Sequence, residues 1–355
     1  MRSRLRFWKY PISILLLLLV VAVFTIFFTT SEKAAAPFEA ESAHDINATQ
    51  SPDESDTPEE PEPDETEAGI EEAKPNEDQM DKSPNPTEDG FITYILDEAD
   101  IHTGYLLLVN HDHSFSILDD FGLVSLNEEK TSNFRVQPAS IRVHSSIVEP
   151  LDEMMDAYMA ASNSRTVAVR SGFRNFTAQQ SILNDYASRM GRREALRWVS
   201  RPGHSEHHTG LAVDFGVFSG GIMNQFEGTG ATAWFRRNAH NYGFILRYPR
   251  NKEAITQTAF EPWHFRYVGF PHAIIMRDND WSLEEYIELL REYTFDEPML
   301  QEVDEVLYEI YFVEGTSIPL PFHSEFEISG NNIDGFIVTI VRQPFDPDVV
   351  IDTAI

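Results

Sequence analysis

The sequence has no cysteine among its 355 residues. Disulfides, thiolate metal ligands, cysteine nucleophiles and a lipid anchor on cysteine are therefore excluded together. Any metal site must be built from histidine and carboxylates. There is no G-x-S-x-G, and no S-x-x-K in a setting suited to a serine nucleophile, so acyl-serine chemistry has no support. Basic charge is also scarce: 27 Lys and Arg stand against 58 Asp and Glu, a formal net charge of -31. Nucleic-acid binding depends on neutralising phosphates with Lys and Arg, so nucleic-acid partners are excluded.

What is present is unevenly distributed. Arg2, Arg4, Arg6 and Lys9 precede ISILLLLLVVAVFTIFF, an uncharged apolar run over residues 12–28. Its length is at the short end of what spans a bilayer. Basic residues on its N-terminal side predict a cytoplasmic start and an extracytoplasmic remainder. The run exceeds the usual signal-peptide core, which favours an uncleaved anchor; cleavage near Ala34–Ala36 is the alternative. Residues 31–90 carry about twenty acids against three lysines, with prolines from Pro37 to Pro86. Such a segment lacks the apolar content to offset ordering entropy and predicts an extended, disordered spacer.

Beyond residue 90 apolar content rises. Phe91–Leu96, Tyr105–Val109 and Ser114–Leu118 read as short strands, with a turn at Asn110–His113. Ile147, Leu151, Met154, Met155, Tyr158 and Met159 recur at helical spacing and predict a core-facing helix. Thr166–Ser171 predicts a strand, 177–190 a helix stopped by Gly191, and Leu211–Phe215 a strand that Gly216 ends or bends. A helix is expected over 232–242, strands at Phe244–Tyr248 and His264–Val268, and an amphipathic helix at Leu283–Tyr293. Regular βαβ alternation is missing. The pattern predicts an α+β fold, a mainly antiparallel sheet packed by helices. The organisation expected is a basic start and anchor (1–30), an acidic linker (31–90), a catalytic domain (91–298) and a small β-rich extension (299–355).

Three segments carry chemistry: Ser171-Gly172-Phe173-Arg174 with Gln179, Ser205 through Asp214, and Glu261-Pro262-Trp263-His264. Two imidazoles and one carboxylate can hold zinc and leave a position for water, and His207, Asp214 and His264 supply that set. Gly210, between His207 and Asp214, lets the backbone turn so that a loop and the strand it enters can converge. Pro262 disfavours helix at Glu261, so this is not a helical H-E-x-x-H arrangement; a bend there would bring Glu261 beside the water while His264 binds metal. Each residue alone has an ordinary alternative as a surface or core polar group. Their order and spacing argue for the site.

These segments resemble the VanY-type D-alanyl-D-alanine carboxypeptidases, within a zinc peptidase group that includes D-Ala-D-Ala dipeptidases and hedgehog-like domains. The pattern S-x-H-x-x-G-x-A-x-D followed by E-x-x-H is met by Ser205, His207, Gly210, Ala212, Asp214, Glu261 and His264. S-G-[YF]-R-x-[YF]-x-x-Q is met by Ser171 through Gln179, G-F-x-x-R-Y-P by Gly243–Pro249, and E-P-W-H-x-R-Y-V-G by Glu261–Gly269. The resemblance covers roughly residues 90–295. It implies one Zn2+ on His207, Asp214 and His264, Glu261 as general base and Arg174 as oxyanion stabiliser. Ser205 and Gln179 would contact substrate or support the residues that do, Ser171 would be a substrate contact or a turn residue, and Trp263 would wall the site. The implied reaction removes the terminal D-alanine from peptidoglycan stem peptides ending in D-Ala-D-Ala. A sister endopeptidase or D-Ala-D-Ala dipeptidase, or a non-catalytic zinc-containing wall-binding module, is the alternative; the presence of Glu261 and Arg174 argues against the last.

Overall fold

The structure is a computed structural model that describes residues 91–116, 122–322 and 324–342. All lie in one unit, Glu67–Ile355; the other, Met1–Thr66, falls outside the described residues. So do the expected anchor and acidic linker. Among the described residues no helix is long and apolar enough to cross a membrane.

The strands are, in chain order, Phe91–Ile95 (β1), Leu123–Ser125 (β2), Arg135–Val136 (β3), Arg142–His144 (β4), Val167–Ser171 (β5), Ala212–Ser219 (β6) and Ile222–Asn224 (β7). They continue with Phe244–Leu246 (β8), His264–Tyr267 (β9), Met299–Val303 (β10), Val306–Glu314 (β11), Ser317–Pro321 (β12), Glu325–Gly330 (β13) and Gly335–Arg342 (β14). The central sheet runs β3-β5-β6-β9-β8, with β7 folded back on β6. Only β3 and β5 in it are parallel. The expected α+β class, helices on a mainly antiparallel sheet, is what the chain forms.

The helix Val148–Ser162 begins with Pro150 in its first turn, where a missing N–H costs nothing, and ends on Asn163 at φ 51. Its Leu151, Met154, Met155 and Tyr158 are buried against Val167, Val169, Val213 and Phe215 of the central sheet. Each such side chain contributes about 1.5–3 kcal/mol by leaving water. The helix Phe176–Met190 starts at Asn175, whose side chain accepts from Ala178 N at 2.8 Å, and stops at Gly191. Ser282 and Glu285 form a capping box on the helix Leu283–Leu290, each satisfying a backbone N–H of the first turn.

Four local expectations change. Gly216 does not end its strand: β6 runs through it to Ser219. Its missing side chain instead makes room for Met223 of β7, whose Sδ would lie 2.5 Å from a Cβ there. The 232–242 helix breaks into an α-helix, Ala233–Asn238, and a 3-10 turn, Ala239–Tyr242. Ser114–Ser116 form no strand, and the remaining two residues of that run lie outside the described ones. Tyr105–Val109, buried from Leu106 on, pairs with no strand. Several of its backbone groups are met by other partners: Arg266 Nη2 donates to the carbonyls of Tyr105 and Leu107 at 2.9 and 3.0 Å, and Leu106 N donates to Ser329 Oγ at 2.8 Å. Leu108 N donates to Asn331 O, and Asn332 Nδ2 to Leu108 O. Apolar residues in an extended run need a ladder only when nothing else meets their N–H and C=O groups.

Residues 299–342 form a second antiparallel sheet, β10-β11-β14-β13. β12 pairs with β1, so the first described strand is held by the last part of the chain. One core cluster joins Ile310 and Ile337 of this sheet to Tyr286, Ile287 and Leu290 and to Leu106, Ile245 and Val268. His272 sits at that junction, fully buried, 2.9 Å from Tyr286 Oη and 3.0 Å from Thr339 Oγ1.

Candidate metal centre

The site forms where β5, β6 and β9 meet. β6 pairs on one side with β5, Ser171 opposite Asp214, and on the other with β9, Asp214 opposite His264. A register shift between Val169 and Ser171 lets β5 depart toward Arg174. His207 comes from the turn before β6, Glu206–Thr209, which closes at Gly210 with φ 69. A Cβ at Gly210 would stand 2.8 Å from His144 N, so both the backbone angle and the space call for glycine.

Ligand atoms of His207, Asp214 and His264 all lie within 4.8 Å of one another, and all three residues are buried. His207 Nδ1 is 2.6 Å from the carbonyl of Gly172. A carbonyl only accepts, so Nδ1 carries the proton and Nε2 keeps its lone pair. Nε2 lies 3.3 Å from Asp214 Oδ2 yet has no hydrogen-bond partner. A buried, unprotonated, unpartnered imidazole nitrogen beside a carboxylate is a metal donor in chemistry and direction. His264 turns Nδ1 to Asp214 Oδ1 at 3.0 Å. The donor set fits a divalent cation of zinc type.

Electrostatics separate the two histidines. Burial and then Arg174 push His207 down to about 4. Burial works against charge on His264 as well, but its hydrogen bonds to Asp214 and Glu206 carry it up to about 9. Asp214 is held well below the carboxylate range, its burial outweighed by the two histidines. Glu261 is buried, with Oε2 3.7 Å from His264 Nδ1. Burial raises its carboxyl to about 8, against the pull of His264.

Arg174 reaches the same point from the other side. Its Nη2 is 3.4 Å from Asp214 Oδ2, and Nη1 donates to Gln179 Oε1 at 3.0 Å. Nε is buried without a partner. The Arg174 loop is fixed by His208, whose Nε2 accepts from Gly203 N at 3.0 Å while Nδ1 donates to Arg174 O at 2.6 Å.

The structure therefore brings His207, Asp214, His264, Glu261 and Arg174 together. Gln179 is 1% exposed and its amide is engaged by Arg174 and by the Ser200 carbonyl. Its side chain orients Arg174. Ser205 is buried just before the 3-10 turn, and Ser171 closes β5, half-buried. Trp263 packs half-buried against the main core and gives its carbonyl to Phe215 N. Sequence reasoning passed over Glu206, Arg247, Arg266 and Glu284. Glu206 Oε1 accepts from Arg247 Nε at 2.7 Å and from Arg266 Nη1 at 2.9 Å; its Oε2 lies 3.3 Å from His264 Nε2. Arg247 makes a two-pronged contact with Glu284 at 2.9 and 2.7 Å. The only signal was position, since Glu206 touches His207 in sequence and both arginines lie inside the motif stretches.

Comparison with known proteins decides the family. The VanY family, described as D-alanyl-D-alanine carboxypeptidase, matches residues 140–270. A D-alanyl-D-alanine carboxypeptidase of Enterococcus faecium is 33% identical over 251 residues, 69% of this chain and 78% of the relative. The chain belongs to the VanY D-alanyl-D-alanine carboxypeptidase family. As a VanY-family member it is a zinc metallopeptidase acting in peptidoglycan metabolism. Another relative, the bifunctional D-Ala-D-Ala dipeptidase and D-Ala-D-Ala carboxypeptidase VanXYC of Enterococcus gallinarum, is 36% identical over 37% of this chain and 71% of its own. Among solved structures, the vancomycin resistance D,D-dipeptidase VanXYg in complex with a D-Ala-D-Ala phosphinate analogue superposes with a TM-score of 0.64 at 35% identity. That match covers 71% of this chain and 99% of the other. The VanY-type resemblance read from the motifs is thus the family the chain belongs to.

Proposed function

We propose that the protein is a zinc-dependent D,D-carboxypeptidase that removes the terminal D-alanine from peptidoglycan stem pentapeptides. The observation that carries this reading is the convergence of three buried donors, His207, Asp214 and His264, with Glu261 and Arg174 on the same point. His207 Nε2, a carboxylate oxygen of Asp214 and His264 Nδ1 would hold the metal. Bound there, zinc would supply Lewis acidity for the scissile carbonyl and for the attacking water. Glu261 takes the proton from the attacking water and delivers it to the departing amine of D-alanine. The water oxygen is retained in the new carboxylate. A buried carboxyl raised toward neutrality suits a group that must both accept and return a proton. Arg174, held by Gln179, stabilises the negative charge that develops on the carbonyl oxygen. Ser205, Ser171 and Trp263 bound the substrate side.

The D-Ala-D-Ala dipeptidase reading is favoured by one observation, the overlay on a D,D-dipeptidase across nearly all of that protein's length. Mass spectrometry of a stem pentapeptide after incubation with the zinc-loaded chain and with Glu261→Ala separates the two. Loss of one alanine by the wild type alone supports the carboxypeptidase. Cleavage of free D-Ala-D-Ala with the pentapeptide intact supports the dipeptidase. No cleavage of either by a zinc-loaded chain sinks both.

The basic start, apolar run and acidic spacer support a single-pass membrane protein with its site on the wall side. Alkaline carbonate extraction tests this. Retention in the membrane with an intact N-terminus is expected, and a soluble chain beginning after Ala36 would replace the anchor with a cleaved signal.

A further inference from the structure

Glu206 is the most enclosed acid near the site: its side chain is 0% exposed, as are those of Arg247 and Arg266. Two carboxylates, Glu206 and Glu284, balance two guanidiniums. Buried charge of this kind is tolerated only when paired and fully hydrogen-bonded. The pairing is lopsided. Both arginines bond to one oxygen of Glu206, Oε1, and Oε2 is aimed at His264 Nε2. Arg266 is fixed in turn by the carbonyls of Tyr105, Leu107 and Tyr267. Arg247 is fixed by Glu284. The carboxylate plane of Glu206 therefore has little freedom to rotate.

We propose that Glu206 is the positioning residue for His264, accepting Nε2–H so that Nδ1 is presented to the metal. This rests on His264 being a ligand, as argued above. A metal-bound imidazole needs its second nitrogen to donate, and the acceptor fixes tautomer and ring orientation. The 3-10 turn Glu206–Thr209 then sets both imidazoles at once. It supplies His207 directly and holds His264 through the preceding side chain, while the Gly172 carbonyl does for His207 what Glu206 does for His264. The two histidines bind through different nitrogens for that reason. A carboxylate on one and a carbonyl on the other also make His264 the stronger donor.

The test uses the full chain, labelled with 15N-histidine and loaded with 113Cd. The inference expects 113Cd coupling to His264 Nδ1, with a proton on Nε2 that exchanges slowly, and coupling to His207 through Nε2. Cadmium on His264 Nε2, or a freely exchanging Nε2 proton, overturns the inference and leaves the metal reading standing. No coupling from either histidine overturns the metal reading on which it depends. A second measurement compares zinc affinity, by chelator competition, in Glu206→Gln and Glu284→Gln. Both remove a charge from the same cluster, but only Glu206 faces His264. Glu206→Gln is expected to weaken zinc binding about 10–100-fold and Glu284→Gln to leave it near wild type. Equal losses in the two variants would reduce Glu206 to charge neutralisation. If Glu206→Gln does not fold, the cadmium experiment on the wild type decides alone.

Discussion

Two clusters of buried charge meet at His264 and differ in how complete they are. On one side stand His207, Asp214, Glu261 and Arg174. Here His207 Nε2 and Arg174 Nε are buried with no hydrogen-bond partner. On the other stand Glu206, Arg247, Arg266 and Glu284, where no side-chain atom is among the buried unpartnered ones of the described residues. Native proteins pair nearly all buried polar groups; of the four unpartnered ones among the described residues, two stand here beside Asp214, where a ligand would meet them, and the others, on His111 and Asp152, lie apart. The paired cluster supports shape. The unpaired cluster is kept for chemistry, and the cost of its unmet groups is carried by the packing around it.

That contrast can be broken, and the largest effect should come from the chemical side. Glu261→Gln keeps shape and removes the base. It is expected to lower turnover about 10²–10⁴-fold with zinc content and melting temperature near wild type. Activity retained at wild-type rate would move the base elsewhere. On the paired side, Glu206→Ala leaves two guanidiniums buried without their shared acceptor. A loss of about 3–5 kcal/mol of stability is expected, measured by denaturant titration of the metal-free chain. If stability were unchanged, the two clusters would not differ in kind.

Arg174→Lys sharpens the comparison from the other direction. Lysine keeps the charge but not the planar fork that spans Gln179 and Asp214. The rate constant kcat should fall about 10²–10³-fold, with little change in stability or in KM. A change confined to KM would make Arg174 a binding group and not an oxyanion donor.

The effect that vanishes at neutral pH lies away from the site. His272 is buried and held down to about 3 by burial alone, against about 6.5 in the unfolded chain. Between these values the unfolded state binds a proton that the native state refuses. Its contribution is therefore fully present above pH 6.5 and is lost as pH falls toward 3, by up to about 1.4 kcal/mol per pH unit. His272→Gln should move the acid-unfolding midpoint to lower pH. An unmoved midpoint would mean that carboxylates elsewhere govern acid stability.

Much of this was legible beforehand, for identifiable reasons. The helix Val148–Ser162 follows from apolar spacing, which only one helix face can satisfy. The candidate metal donors follow from residue type and from the motifs shared with VanY-type enzymes: His207 and Asp214 flank Gly210, and His264 closes the later E-x-x-H. The 105–109 segment misled because its composition is that of a strand while its hydrogen-bond partners are side chains far along the chain, Arg266 and Ser329. Gly216 misled because its role is set by Met223 crossing over it, not by its own backbone. Gln179 was read as touching either the substrate or the groups that do; its amide is engaged by Arg174 and Ser200, which agrees with the second of these.

By itself the sequence determined the α+β class, the principal helices and, through the motifs it shares with VanY-type enzymes, the candidate donors His207, Asp214 and His264 in the company of Glu261 and Arg174. These depend on local periodicity and on ligand chemistry, both of which are written in residue types at short spacings. The tertiary structure alone decided which nitrogen of each histidine is turned toward Asp214, and that Glu206 lies against His264 Nε2. It also decided that β1 is held by β12 and that Leu106 shares a core with Ile310 and Ile337. Those depend on which distant groups meet in space, where a buried donor or charge must find a partner, and no local pattern says which partner that is.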